Sequence, residues 1–129
     1  MPKSDSETTI SELKDLVRSF VEERDWRQFH NGKDLAIGLS IEAAELLEHF
    51  RFKSVDEVTE LLADPAALKE VCHELADIFY FVLALSDHLD IQLSEAFREK
   101  LEIARERYPV ELAKGKNLKY TELQKGRKS

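Results

Sequence analysis

The chain has 129 residues, 43% of them apolar and 35% charged, enough for one folded domain and too apolar for a wholly disordered chain. Gly and Pro together number 7, about half their usual joint share of roughly 12%, which argues against a turn-rich β protein. A net charge of −7 disfavours a nucleic-acid polymer as ligand, since such polymers bind through phosphate neutralisation, and a single cysteine, Cys72, excludes an internal disulfide.

Breakers at Asn31–Gly32, Pro65, Pro109 and Gly115 divide the chain into helical blocks. The first helix is expected from about Thr9 to Phe29. Thr9 and Glu12 have the spacing of a capping box, and Ile10, Leu13, Val17, Phe20 and Val21 repeat as an amphipathic stripe. A second helix is expected from about Asp34 to Phe50, with Leu35, Leu39, Ala43, Leu46, Leu47 and Phe50 as its core arc. Ser54 and Glu57 offer another capping box for a short helix ending at Ala63. Asp64 and Pro65 then read as N-cap and first-turn proline of a long helix reaching about His88. The last helix runs from about Ser94 to Arg107 and stops at Pro109. From Ala66 to Tyr108 there are 43 residues without Gly or Pro, so the apolar run Ile78–Leu85 reads as helix rather than strand. That run is far too short to span a membrane, and the first ten residues lack the apolar stretch of a secretory signal; a cytoplasmic protein is expected. From Lys114 the tail carries six basic residues against one Glu and reads as extended.

Between Leu75 and Leu85 the long helix is apolar on every side except at Asp77, which predicts a buried helix with a carboxylate in its middle. Glu74 lies on the same face. The preceding helix carries Glu42 and Glu45 at the same i, i+3 spacing, and 28 residues separate the two pairs. Antiparallel packing of these helices would converge four carboxylates. An all-oxygen set selects a hard cation, Mg²⁺ or Mn²⁺, ahead of zinc. The bland alternative is a set of solvated surface acids. A di-iron bundle would need two Glu-x-x-His motifs, and only Glu70 with His73 supplies one.

At these residues the sequence resembles the all-α nucleoside triphosphate pyrophosphohydrolases of the MazG-like group, especially the dCTP pyrophosphatase branch. That family pairs ExxE with ExxD on consecutive core helices, matched by Glu42, Glu45, Glu74 and Asp77. The segment Arg24–His30, ahead of the metal helix, and the C-terminal stretches Arg107–Pro109 and Lys119–Leu123 also match, in the family's order, over about residues 10–123. The chain departs from the pattern at Ile41 and Ala44, where the branch often has Gly. It also departs at Phe52 (commonly Trp), Phe81 (commonly Tyr) and Ala104 (usually Asn).

The resemblance implies an all-α, four-helix-bundle-like, oligomeric fold, with a flexible start over 1–8, the catalytic domain over 9–110 and a basic tail over 111–129. It implies that Glu42, Glu45, Glu74 and Asp77 hold Mg²⁺ (Mn²⁺ as an alternative), with Glu42 or Glu45 orienting the attacking water. It places Trp26 and His30, with Phe52 and Phe81, at the nucleobase. Lys33, Lys53, Lys100, Arg107, Lys119 and Tyr120 become the further substrate contacts. The implied reaction converts a nucleoside triphosphate, dCTP or a modified dCTP, to monophosphate and pyrophosphate. The implied partners are the nucleotide and further copies of the chain, as homodimer or homotetramer. Apolar Ile37, Ile41 and Ala44, opposite the core arc of the second helix, agree with assembly. Two readings stay open beside it: phosphoribosyl-ATP pyrophosphohydrolase-like activity and a non-catalytic helical interaction module.

Overall fold

Side-chain caps set where four helices of this chain begin. In the computed structural model, which describes residues 2–125, Thr9 accepts the Glu12 N–H at 3.1 Å and Asn31 accepts the Asp34 N–H at 2.8 Å. Ser54 and Glu57 close a full capping box, and Asp64 caps a helix whose first residue is Pro65. The resulting helices are α1 (Ile10–Glu23), α2 (Gly32–Glu48), α3 (Val55–Ala63), α4 (Pro65–His88), α5 (Leu93–Arg107), α6 (Val110–Ala113) and α7 (Tyr120–Lys125). Single 3-10 turns occur at Asp5–Glu7 and Arg27–Phe29, and no strand occurs among the described residues.

Helix ends depart from the sequence reading at α1. It stops at Glu23, not Phe29, because Asp25 adopts a left-handed φ of 52°. The Asp25 N–H bonds Glu22 O at 3.1 Å and the Trp26 N–H bonds Val21 O at 3.0 Å, the paired closure of a Schellman motif. The same closure ends α4, with Asp90 at φ 54° and the Ile91 N–H on Ser86 O at 2.8 Å. Aspartate here takes the place usually held by glycine, so the sequence carries no glycine breaker at the end of α1. The tail also differs from expectation, since α7 forms within it; residues 126–129 lie outside the described residues.

The chain divides into two compact units, Met1–Ile91 and Gln92–Ser129. In the first, α1, α2 and α3 all pack on α4. Val21, Leu35, Val71, Leu83 and Ala84 are its buried apolar side chains. Gly38 of α2 faces Phe81 of α4, and His49 of α2 faces Glu74 of α4. Advancing along α2 therefore retreats along α4, so the two helices are antiparallel. Arg18 of α1 pairs with Asp87 of α4, and this hydrogen bond holds the Asp87 carboxyl below the usual carboxylate range. In the second unit, Tyr108 and Tyr120 meet edge to face and Leu123 is buried.

The expectation that α4 is buried all round is not met within the single chain. Leu75 is 53% and Phe79 41% exposed, and Asp77 is exposed beside them. Three helices cover one side of α4 and leave the other open.

Candidate metal centre

Glu42 and Glu45 stand on one stripe of α2, and Glu74 and Asp77 on successive turns of α4. Antiparallel packing brings one carboxylate oxygen from each of Glu42, Glu45 and Glu74 within 4.8 Å of one another. Asp77, one turn beyond Glu74, stands outside this trio, though its charge still reaches Glu42.

The electrostatics are those of a site built for a cation. Oε2 of Glu42 and Oε2 of Glu74 are buried and have no hydrogen-bond partner. Leaving a buried acceptor unsatisfied costs roughly 1–3 kcal/mol, more for a charged one. Burial pushes the Glu42 carboxyl above its ordinary range, reinforced by the adjacent Glu45 carboxylate and by the charges of Asp77 and Glu74. Among the described residues, the only basic side chain in contact with these acids is that of His49, whose Nε2 lies 3.4 Å from Glu74 Oε1. Arg51, two residues on, is turned to Glu48 instead. Three converging carboxylates, two of them with a buried unpartnered oxygen and no Lys or Arg paired to them among the described residues, fit a hard divalent ion.

The other sequence-derived residues lie in three places. Trp26 is 42% exposed and edge-on to Phe20, their ring centroids 5.6 Å apart; Phe20 in turn meets Tyr80, and Tyr80 meets Phe81. His30 lines a small cavity with Arg18, Glu22, Arg27, Ala84, Asp87 and His88. Burial and the neighbouring His88 and Arg27 push its imidazole pKa down. Ala84 is ten residues beyond Glu74, about 15 Å of helix, so His30 and the acids occupy different levels of α4. Lys33 lines the apolar groove of α2 with Ile37 and Ile41. Phe52 is 90% exposed at a left-handed φ of 62°, stacked by Arg51, and Lys53 follows it. In the second unit Lys100 and Arg107 share a face of α5 at i, i+7, with Ala104 between them. Arg107 lies over the Tyr120 ring at 4.9 Å, and Lys119 directly precedes that tyrosine.

Sequence reasoning missed His49, Phe20, Tyr80 and Gly38. His49 had a usable signal: with Glu42 and Glu45 it makes an i, i+3, i+7 stripe. Gly38 had one too, as an isolated glycine inside a helical pattern. A Cβ there would come within 2.6 Å of Phe81 Cζ, so glycine sets how closely α2 approaches α4.

Residues 37–123 match the model of the MazG-like family. The chain is 35% identical over 120 residues to dCTP pyrophosphatase 1 of Mus musculus and to that of Homo sapiens, covering 93% of this chain and 71% of each relative. A crystal structure of a pyrophosphatase from Archaeoglobus fulgidus superposes with a TM-score of 0.74 at 36% identity, covering 84% of this chain and 98% of that one.

Proposed function

The chain belongs to the MazG-like family, in its dCTP pyrophosphatase branch, and on that footing we propose that this nucleotide pyrophosphohydrolase uses Mg²⁺ to cleave dCTP or a modified dCTP to the monophosphate and pyrophosphate. The observation that carries the metal reading is the convergence of Glu42, Glu45 and Glu74, two of which, Glu42 and Glu74, each keep a buried oxygen without a hydrogen-bond partner. Acids serving solubility would face water and keep their hydrogen bonds. Glu42, Glu45 and Glu74 would hold the cation, with Asp77 joining from the next turn. When bound, a divalent ion supplies positive charge against the phosphate oxygens and makes water a better nucleophile.

The chain's own residues divide the remaining work. Glu45 is the exposed member of the trio and is assigned the orienting of the attacking water, in preference to Glu42, whose Oε2 is closed off from solvent. Trp26, supported edge-on by Phe20, offers a flat face for the base. His30, in the cavity beside Ala84, is assigned a hydrogen bond to the base. The branch of the relatives supplies the choice of dCTP, and nucleotide-pool sanitation is the role that choice implies.

The test is release of pyrophosphate from a panel of ribo- and deoxynucleoside triphosphates with Mg²⁺, with Mn²⁺ and with a chelator. Metal-dependent release, strongest with dCTP or a modified dCTP, is the expected result. Glu45→Gln and Asp77→Asn should abolish it while the protein stays helical. Wild-type turnover in both variants would refute the metal assignment, and release of inorganic phosphate alone would refute the cleavage position.

A further inference from the structure

We propose that His49 is a positioning residue of the metal centre, its imidazole holding one oxygen of Glu74 so that the other is presented to the cation. The inference rests on the metal reading above and adds to it a residue outside the two acidic pairs. His49 closes α2 as its C-cap and continues the stripe of Glu42 and Glu45 by one more turn. The His49 ring N–H donates to Glu74 Oε1 at 3.4 Å, and the two side chains are only 22% and 20% exposed. The opposite oxygen, Glu74 Oε2, is buried and unpartnered. One carboxylate thus has one oxygen tied and one free, and it belongs to one of the three acids whose oxygens converge.

The physical effect is preorganisation. The terminal torsion of a glutamate is broad and roughly two-fold, so an untethered carboxylate pivots between orientations. Tying Oε1 removes that freedom before any cation arrives, and less ordering is then needed on binding. Hydrogen-bonding partners of metal ligands typically matter by 10- to 100-fold in affinity.

The experiment is calorimetric titration of Mn²⁺ into the full chain without nucleotide, for wild type, Glu45→Gln, His49→Leu, His49→Met and His49→Gln. The donor-less Leu and Met variants should bind about 10- to 100-fold more weakly. His49→Gln keeps a side-chain N–H and should restore most of the affinity, while helicity stays level across all three His49 variants. Electron paramagnetic resonance of the wild-type Mn²⁺ complex should show an oxygen-only donor set. Leu and Met variants that bind as wild type would overturn the proposal, as would a Gln variant as weak as they are. Nitrogen coupling from His49 would make it a ligand and overturn it equally. Failure of the metal reading is read elsewhere, from wild type that takes up no Mn²⁺ or from Glu45→Gln that binds unchanged.

Discussion

Glu42 shows how a single side chain can trade fold stability for ligand capture. Its folded, metal-free carboxyl is raised above its ordinary value, chiefly by burial. The native state therefore binds more protons than the unfolded one over that window. Stability of the metal-free protein must fall as pH rises from the unfolded value near 4.3 through the raised folded one. Glu42→Gln escapes this loss, so its metal-free melting temperature should exceed that of wild type at neutral pH, with the gap closing below about pH 4. Saturating divalent ion should invert the order. At a hundredfold excess over Kd the wild type gains about 2.7 kcal/mol, on the order of 10 °C. Thermal melts across pH, with and without Mn²⁺, check both signs; a metal-free Glu42→Gln no more stable than wild type would contradict the account. Asp77, which the sequence marks as the buried charge, is exposed and offers no such gain. Trp26 is the second residue-level case. Being 42% exposed, it is not a core tryptophan, and Trp26→Ala should leave the melting temperature close to wild type. If it stacks on the base, truncation should raise KM about 5- to 150-fold, from roughly 1–3 kcal/mol of stacking, with kcat less affected. An unchanged KM would move the base elsewhere.

At the scale of elements, the contact between α2 and α4 decides the geometry of the centre. Two opposing effects meet at Gly38. Alanine would favour the helix by about 1 kcal/mol, but a methyl group 2.6 Å from Phe81 Cζ must displace the ring. Phe81 is itself held edge-on by Tyr80 at 5.2 Å, so the ring has little room, and overpacking of this kind costs about 1–3 kcal/mol. Overpacking wins, and Gly38→Ala should be destabilised. Because the same two helices carry the acids, Mn²⁺ affinity should fall with stability. Phe81→Leu in that background should recover both, measured by denaturant unfolding and calorimetry. Recovery of neither would mean that Gly38 is not the spacer between the helices.

At the scale of the molecule, the first unit leaves two apolar surfaces open. Ile37 is 47% and Ile41 53% exposed, and with Ala36, Ser40 and Ala44 they line a groove of about 490 Å³ on α2. Leu75 and Phe79 form the uncovered side of α4. Exposed apolar patches of this kind mark association surfaces, and a self-complementary pairing of copies is the simplest way to cover them. We expect a homodimer or homotetramer in solution, and Ile41→Glu should shift it towards smaller species in sedimentation. A wild-type protein that sediments only as a 14.9 kDa monomer at micromolar concentration would refute the expectation.

Helix starts were legible in the sequence because caps act locally: Thr9, Ser54 and Asp64 bond to backbone within three residues. The pairing of Glu42 with Glu45 and of Glu74 with Asp77 was legible for the same reason, since helical spacing alone puts each pair on one face. The end of α1 was not, because a left-handed aspartate has no pattern that separates it from an aspartate inside a helix. Nor could spacing reveal that Glu74 Oε2 is orphaned while Oε1 is held by His49, or that Asp77 stands apart from the other three acids. Those facts depend on the crossing of α2 with α4, set by a glycine against a phenylalanine 43 residues away. Local hydrogen bonds determine where the elements begin and which side chains share a face. Only the packing of distant segments determines which oxygen is left without a partner, and that is the property on which the metal reading stands.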